Sequence, residues 1–124
     1  MKKVIATGGA PGAIGPYSQA VVSGGYLFCS GQLGLDPASG QLADGVRAQA
    51  ERAMLNLKAV CEAAGGSLDS VVKTTIFLTT MDNFSVVNEV YGSFFQGDKP
   101  ARSTIAVAGL PKGGLVEIEA IAAL

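Results

Sequence analysis

The sequence predicts an α+β fold in which two helices cover one face of a single sheet. Two stretches carry apolar residues at a 3.6-residue repeat, and the remaining ordered stretches are short, β-branched runs bounded by Gly and Pro. Read in order, they give β-β-β, helix, β, helix, β-β. The 124 residues suit one domain spanning 1–124, with no internal repeat, linker or low-complexity tract to divide it.

Lys3 to Thr7 reads as a short, edge-like strand. Ala20–Val22 and Tyr26–Ser30 form a hairpin that turns at Ser23-Gly24-Gly25. The first helix runs from Val46 to Ala64, with Val46, Ala50, Ala53, Met54, Leu57, Val60, Cys61 and Ala64 on one face. Asp44 stands ahead of it as the expected N-cap, and Gly65-Gly66 stops it. Val71–Thr79 is a long strand. Strict alternation puts Val72, Ile76 and Leu78 on one side and Lys73, Thr75, Phe77 and Thr79 on the other. Neither side is cleanly polar, as expected if helices cover one side and sister subunits the other. The second helix spans Phe84 to Phe95, burying Phe84, Val87, Val90, Tyr91, Phe94 and Phe95, and Gly97 to Pro100 ends it. Thr104–Ala108 and Leu115–Ala122 complete the sheet.

Composition narrows the function. Charged residues make up 15% of the chain and apolar residues 48%, against roughly 25% charged in an average soluble domain. A surface rich in Ala, Gly, Ser and Thr would account for this, as would burial of part of it against another subunit. The second is preferred, because obligate interfaces resemble a core cut in half. A net charge of −1 and no basic stripe argue against nucleic-acid and membrane partners. No apolar run approaches the ~20 residues of a membrane span. MKKVIATGGAPG lacks the apolar core of a signal peptide, so a cytoplasmic protein is expected. With no histidine and only two cysteines, Ser-His and Cys-His pairs are excluded and no metal site is expected. Cys29 and Cys61 read as free thiols in the core.

Chemistry must then come from carboxylates, Arg, Tyr, hydroxyls or backbone groups. The Gly-rich stretch from Gly8 to Pro16 lacks the spacing of a phosphate-binding loop and reads as a flexible lead-in to Tyr17. In Lys99-Pro100-Ala101-Arg102-Ser103-Thr104, proline fixes the approach to a strand, and Arg102 and Thr104 share a face. An Arg fork binds a carboxylate through two hydrogen bonds, and a nearby hydroxyl adds a third. A surface Arg at a strand end fits the spacing as well. Glu117 and Glu119 share a face of the last strand. Arg102 is the candidate cation opposite one of them, from this chain or a neighbouring subunit; a solvated strand face is the simpler reading.

Taken together, these residues resemble the RidA (YjgF/YER057c-type) family almost end to end. The likeness is carried by Ala13-Ile14-Gly15-Pro16-Tyr17-Ser18-Gln19-Ala20, Ser30-Gly31-Gln32, Val72 to Leu78, Pro100-Ala101-Arg102-Ser103 and Val116-Glu117-Ile118-Glu119-Ala120. It implies a chorismate-mutase-like single mixed sheet, trimeric, with three active sites in the clefts between subunits. It implies hydrolysis of enamines and imines such as 2-aminoacrylate to 2-keto acids and ammonia, without a cofactor. By position, Arg102 would hold the substrate carboxylate with the Gly31 N–H, Glu117 would orient the attacking water, and Tyr17 would line the pocket. Thr104 stands where many members carry Cys, and its hydroxyl can also donate to the carboxylate.

Two other readings use the same residues. Chorismate mutase activity needs more than the one well-placed Arg found on the cleft strands, since Arg47 and Arg52 lie on the first helix. A non-catalytic trimer that binds 2-keto or amino carboxylates to regulate a partner is the alternative from a different class, because Arg102 would serve both.

Overall fold

A computed structural model describes residues 1–124. Six strands form one sheet in the order β1-β2-β3-β6-β4-β5. They are β1 (Lys3–Ile5), β2 (Ala20–Ser23), β3 (Tyr26–Leu33), β4 (Val71–Leu78), β5 (Ala101–Ala106) and β6 (Val116–Ala123). The helices are α1 (Val46–Ala63) and α2 (Phe84–Ser93), with short 3₁₀ turns at Leu68–Ser70, Met81–Asn83 and Pro111–Gly113. The β4–β5 pair is parallel, and every other pairing is antiparallel. The sheet is therefore mixed, and the expected α+β plan and element order hold.

The β2–β3 hairpin turns at Gly24 and Gly25, both with positive φ (60° and 81°). Such a two-residue turn twists with the strands, and side chains disfavour it. α1 ends as its glycines predict: Gly66 N–H bonds Cys61 O at 2.9 Å and Gly65 N–H bonds Glu62 O at 3.0 Å, closing the last turn's free carbonyls. Its start differs from expectation. Asp44 is not the N-cap. Gly45 occupies that position with φ 86° and no side-chain cap is made. The second helix also stops earlier than its apolar pattern, at Ser93, although Phe95 is buried in the turn beyond it.

Both helices cover one face. Val71, Thr74, Ile76 and Leu78 of β4, Val116, Ile118, Ala120 and Ala122 of β6, and Leu27 and Cys29 of β3 pack beneath Ala50, Ala53, Met54, Leu57, Val60, Val87 and Val90. Val72 corrects the simple alternation. Val71 pairs with Ala122 but Lys73 with Ile121, so β4 holds one extra residue there. Val72 is thereby left exposed, and Val71 takes the core position, as a β-bulge requires. β5 begins three residues before its expected start because Ala101–Ser103 pair with Lys73–Thr75.

Two polar side chains of α1 are buried to tie the loops down. Asn56 donates to Leu33 O (3.1 Å) and Leu35 O (2.9 Å). Gln49 donates to Ala43 O (3.1 Å) and accepts from Leu115 N–H (2.9 Å). Gly34 lies so close to α1 that a Cβ there would fall 2.5 Å from Gln49 Cα. No helix is long and apolar enough to cross a membrane. Cys29 and Cys61 are buried free thiols, and hydrogen bonding to Cys61 together with burial pushes the Cys29 thiol far up.

Candidate active site

The expected site residues fall into two groups. Tyr17, Gly31 and Glu117 line a single cavity of about 570 Å³, together with Ser30, Gln32 and Glu119. Its walls come from the loop before β2, the end of β3, residues 35–40, the 111–112 turn and β6. The loop carrying Tyr17 is far from free. Gln19, which is buried, donates its amide to Thr7 O (3.0 Å), Ala10 O (3.3 Å) and Pro11 O (2.8 Å). The same side chain accepts from Thr7 N–H at 2.6 Å. Ser30 Oγ, donating to Ser18 O at 2.6 Å, fastens the other end.

At the end of β3 a second irregularity in pairing, between Cys29 and Gln32, brings Gly31 against Glu117. A Cβ on Gly31 would lie 2.7 Å from Glu117 Cδ. Only a glycine leaves room for this carboxyl. Glu117 is half-buried, and burial, then the charge of Glu119, pushes its carboxyl above the usual range. A carboxyl poised this way can hold or exchange a proton nearer neutrality than a solvated one.

Arg102 and Thr104 lie elsewhere. They pair with Thr74 and Ile76, whose side chains are buried under the helices, so both point to the helix-covered side at the β5 edge. Glu117 pairs with Phe77 and faces the opposite way. The expectation that Arg102 opposes Glu117 or Glu119 thus fails within one chain. Arg102 Nη1 donates to Asn88 Oδ1 at 2.6 Å, and its guanidinium lies 5.2 Å from the Tyr91 ring centre and 5.6 Å from that of Phe84. These contacts hold the guanidinium against α2. Tyr91 is in turn hydrogen-bonded to Thr74 Oγ1 at 2.7 Å. Beside Arg102, Thr104 Oγ1 is buried with no hydrogen-bond partner, a costly state unless something beyond this chain supplies one.

Asn88, Phe84 and Tyr91 as the seat of Arg102 were not foreseen, nor was Gln19 as the clamp of the Tyr17 loop. Asn88 on an otherwise apolar helix face carried the only available signal.

Fold and site together define a mixed-sheet α+β protein whose candidate groups are carboxyl, guanidinium and hydroxyl, divided between two faces of the sheet. The chain belongs to the family described as Endoribonuclease L-PSP, the RidA/YjgF family, whose model matches residues 7–124. It is 52% identical over 123 residues to a bovine protein named 2-iminobutanoate/2-iminopropanoate deaminase, covering 98% of this chain and 90% of that one. RidA from an Antarctic Psychrobacter superposes with a TM-score of 0.96 at 50% identity, covering 98% and 99% of the two chains. Escherichia coli TdcF, solved with bound serine, gives 0.96 at 45% identity over 98% of each.

Proposed function

We propose that the chain, acting as one unit over 1–124, is an imine/enamine deaminase that hydrolyses short 2-imino acids to 2-keto acids and ammonia. The observation that carries this reading is Glu117, a carboxyl pushed upward by burial in a cavity shared with Tyr17 and the Gly31 backbone. Relatives about half identical over nearly the whole chain bear the deaminase name, which supports it further.

The chemistry needs little more. An enamine such as 2-aminoacrylate tautomerises to the imine, CH₃–C(=NH)–COO⁻. Water adds to the imine carbon, the resulting C–N bond breaks, and pyruvate and ammonia leave. A protonated imine is already electrophilic, so orientation and modest proton transfer suffice. Glu117 orients the water and accepts its proton, and Tyr17 encloses the substrate. Arg102, the Gly31 N–H and the Thr104 hydroxyl hold the carboxylate.

That division of labour requires a second copy of the chain. Arg102 and Thr104 of one protomer would meet Tyr17, Gly31 and Glu117 of its neighbour in a homotrimer with three clefts. The unpartnered Thr104 hydroxyl and the exposed Tyr26, Phe28 and Ile105 of the open sheet face support this assembly. The family description names an RNA-cleaving activity, but two carboxylates and one lysine lining the cavity disfavour a phosphate backbone. We place the protein in the cytoplasm, away from nucleic acid and membrane.

The test is pyruvate and ammonia release while a serine dehydratase generates 2-aminoacrylate. Wild type accelerates release. Arg102→Ala loses about 2–5 kcal/mol of carboxylate binding, roughly 30- to 4,000-fold. Equal acceleration by both would discard this site, and none by either would leave the carboxylate-binding trimer.

A further inference from the structure

Within one chain the cavity holding Glu117 is larger than a short imino acid needs. At about 570 Å³ it falls in the range that encloses far bigger ligands. Leu33, Leu35 and Pro37 line it beside Glu117, and so does Lys112 on the 111–112 turn.

Lys112 is the single cation among the lining residues. It makes no ion pair; the chain's one ion pair joins Arg47 and Glu89. It is also the only residue other than glycine with positive φ (58°, with ψ 19°). A side chain in this conformation is disfavoured and persists when its surroundings impose it, commonly at ligand sites. Here they do. Gly114 N–H closes the turn on Pro111 O at 3.0 Å, and Leu115 N–H is tied to Gln49 Oε1 of α1 at 2.9 Å. The backbone that carries the Lys112 ammonium is thus fixed, while the side chain itself is exposed. Gln32 lines the same cavity, is buried, and its amide forms no hydrogen bond within the chain. Two donors without partners in the lining of one cavity suit an acceptor group brought by the substrate.

We propose that Lys112, assisted by Gln32, forms a subsite for a carboxylate at the end of the substrate's side chain, so that the enzyme also takes 2-imino dicarboxylates. This rests on the deaminase reading above. The reaction is unchanged: water adds to the imine carbon, the C–N bond breaks with its proton going to nitrogen, and the keto group forms. The distal carboxylate takes no part in bond changes. Lys112 offsets the repulsion that Glu117 and Glu119 exert on a second negative charge.

The experiment compares 2-iminoglutarate, made from L-glutamate by glutamate oxidase, with 2-iminobutanoate, made from L-threonine by threonine dehydratase. Imine decay is followed for wild type, Lys112→Glu and Lys112→Gly. The glycine variant fits the left-handed backbone and removes the charge without threatening the fold. Wild type turns over both. Lys112→Glu raises KM for 2-iminoglutarate about tenfold or more beyond its effect on 2-iminobutanoate, Lys112→Gly less, and added salt narrows the gap. Equal KM changes on both substrates would overturn the subsite, as would a wild type that hydrolyses only 2-iminobutanoate. A wild type inactive on both would instead remove the deaminase reading, and the subsite with it.

Discussion

The two faces of the sheet obey different rules. Under the helices every inward position of β4 and β6 is apolar except Thr74, which is satisfied by Tyr91. On the open face, Tyr26 and Phe28 are about half exposed (47% and 46%) and share that face with Lys73, Thr75, Glu117 and Glu119. The first face maximises buried apolar area. The second keeps apolar area uncovered and sets the half-buried Glu117 carboxyl among it. The difference teaches that the face that buries apolar area and the face that carries Glu117 are distinct, so substitutions should separate stability from what Glu117 does; Arg102 and Thr104 lie on the covered side, at its β5 edge.

The largest expected effect lies on the covered face. Leu57 is fully buried, and Leu57→Ala should cost about 2–5 kcal/mol, read from the shift of the urea midpoint at constant slope. A loss well under that would mean the two faces do not differ as described. On the open face Phe28→Asp should leave the secondary structure intact and dissolve the proposed trimer to monomers, as sedimentation would report. A stable trimer would break the comparison. Gly31→Ala should shift stability by no more than about 1 kcal/mol, since the atom its Cβ meets ends a flexible side chain. It should nonetheless lower kcat/KM at least roughly tenfold by displacing the Glu117 carboxyl.

The smallest effect concerns protons. Because burial raises Glu117, its ionisation opposes folding. That cost is absent below the ordinary carboxylate range and is fully present once pH has risen through the raised value. Glu119→Gln removes the lesser of the two causes. The acid limb of the kcat profile should move slightly to lower pH, and an unmoved limb would mean that Glu117 does not govern it.

Much of the covered face was legible in the sequence because periodicity and burial are the same fact there: Ala50, Ala53, Leu57 and Val60 repeat as the helix turns. Val72 was not, since a bulge inserts one residue without changing composition. The start of β5 was hidden because Ala101–Ser103 become strand only by pairing with β4, some thirty residues earlier in the chain. Residue types pointed to Arg102, Thr104 and Glu117, but local spacing could not tell that the first two face the helices and the third faces away. That depends on strand order. Tyr17 and Gly31 were legible through family resemblance alone, and the backbone strain at Lys112 left no mark in composition.

The Gln19 amide makes the wall behind Tyr17 depend on the polarity of a single group. Its nitrogen faces three carbonyls while its oxygen takes one backbone N–H. Spontaneous hydrolysis of that amide would replace the donor with a negatively charged oxygen of nearly the same size. The three carbonyls would then confront an acceptor, and the loop leading to Tyr17 would lose the clamp that holds it.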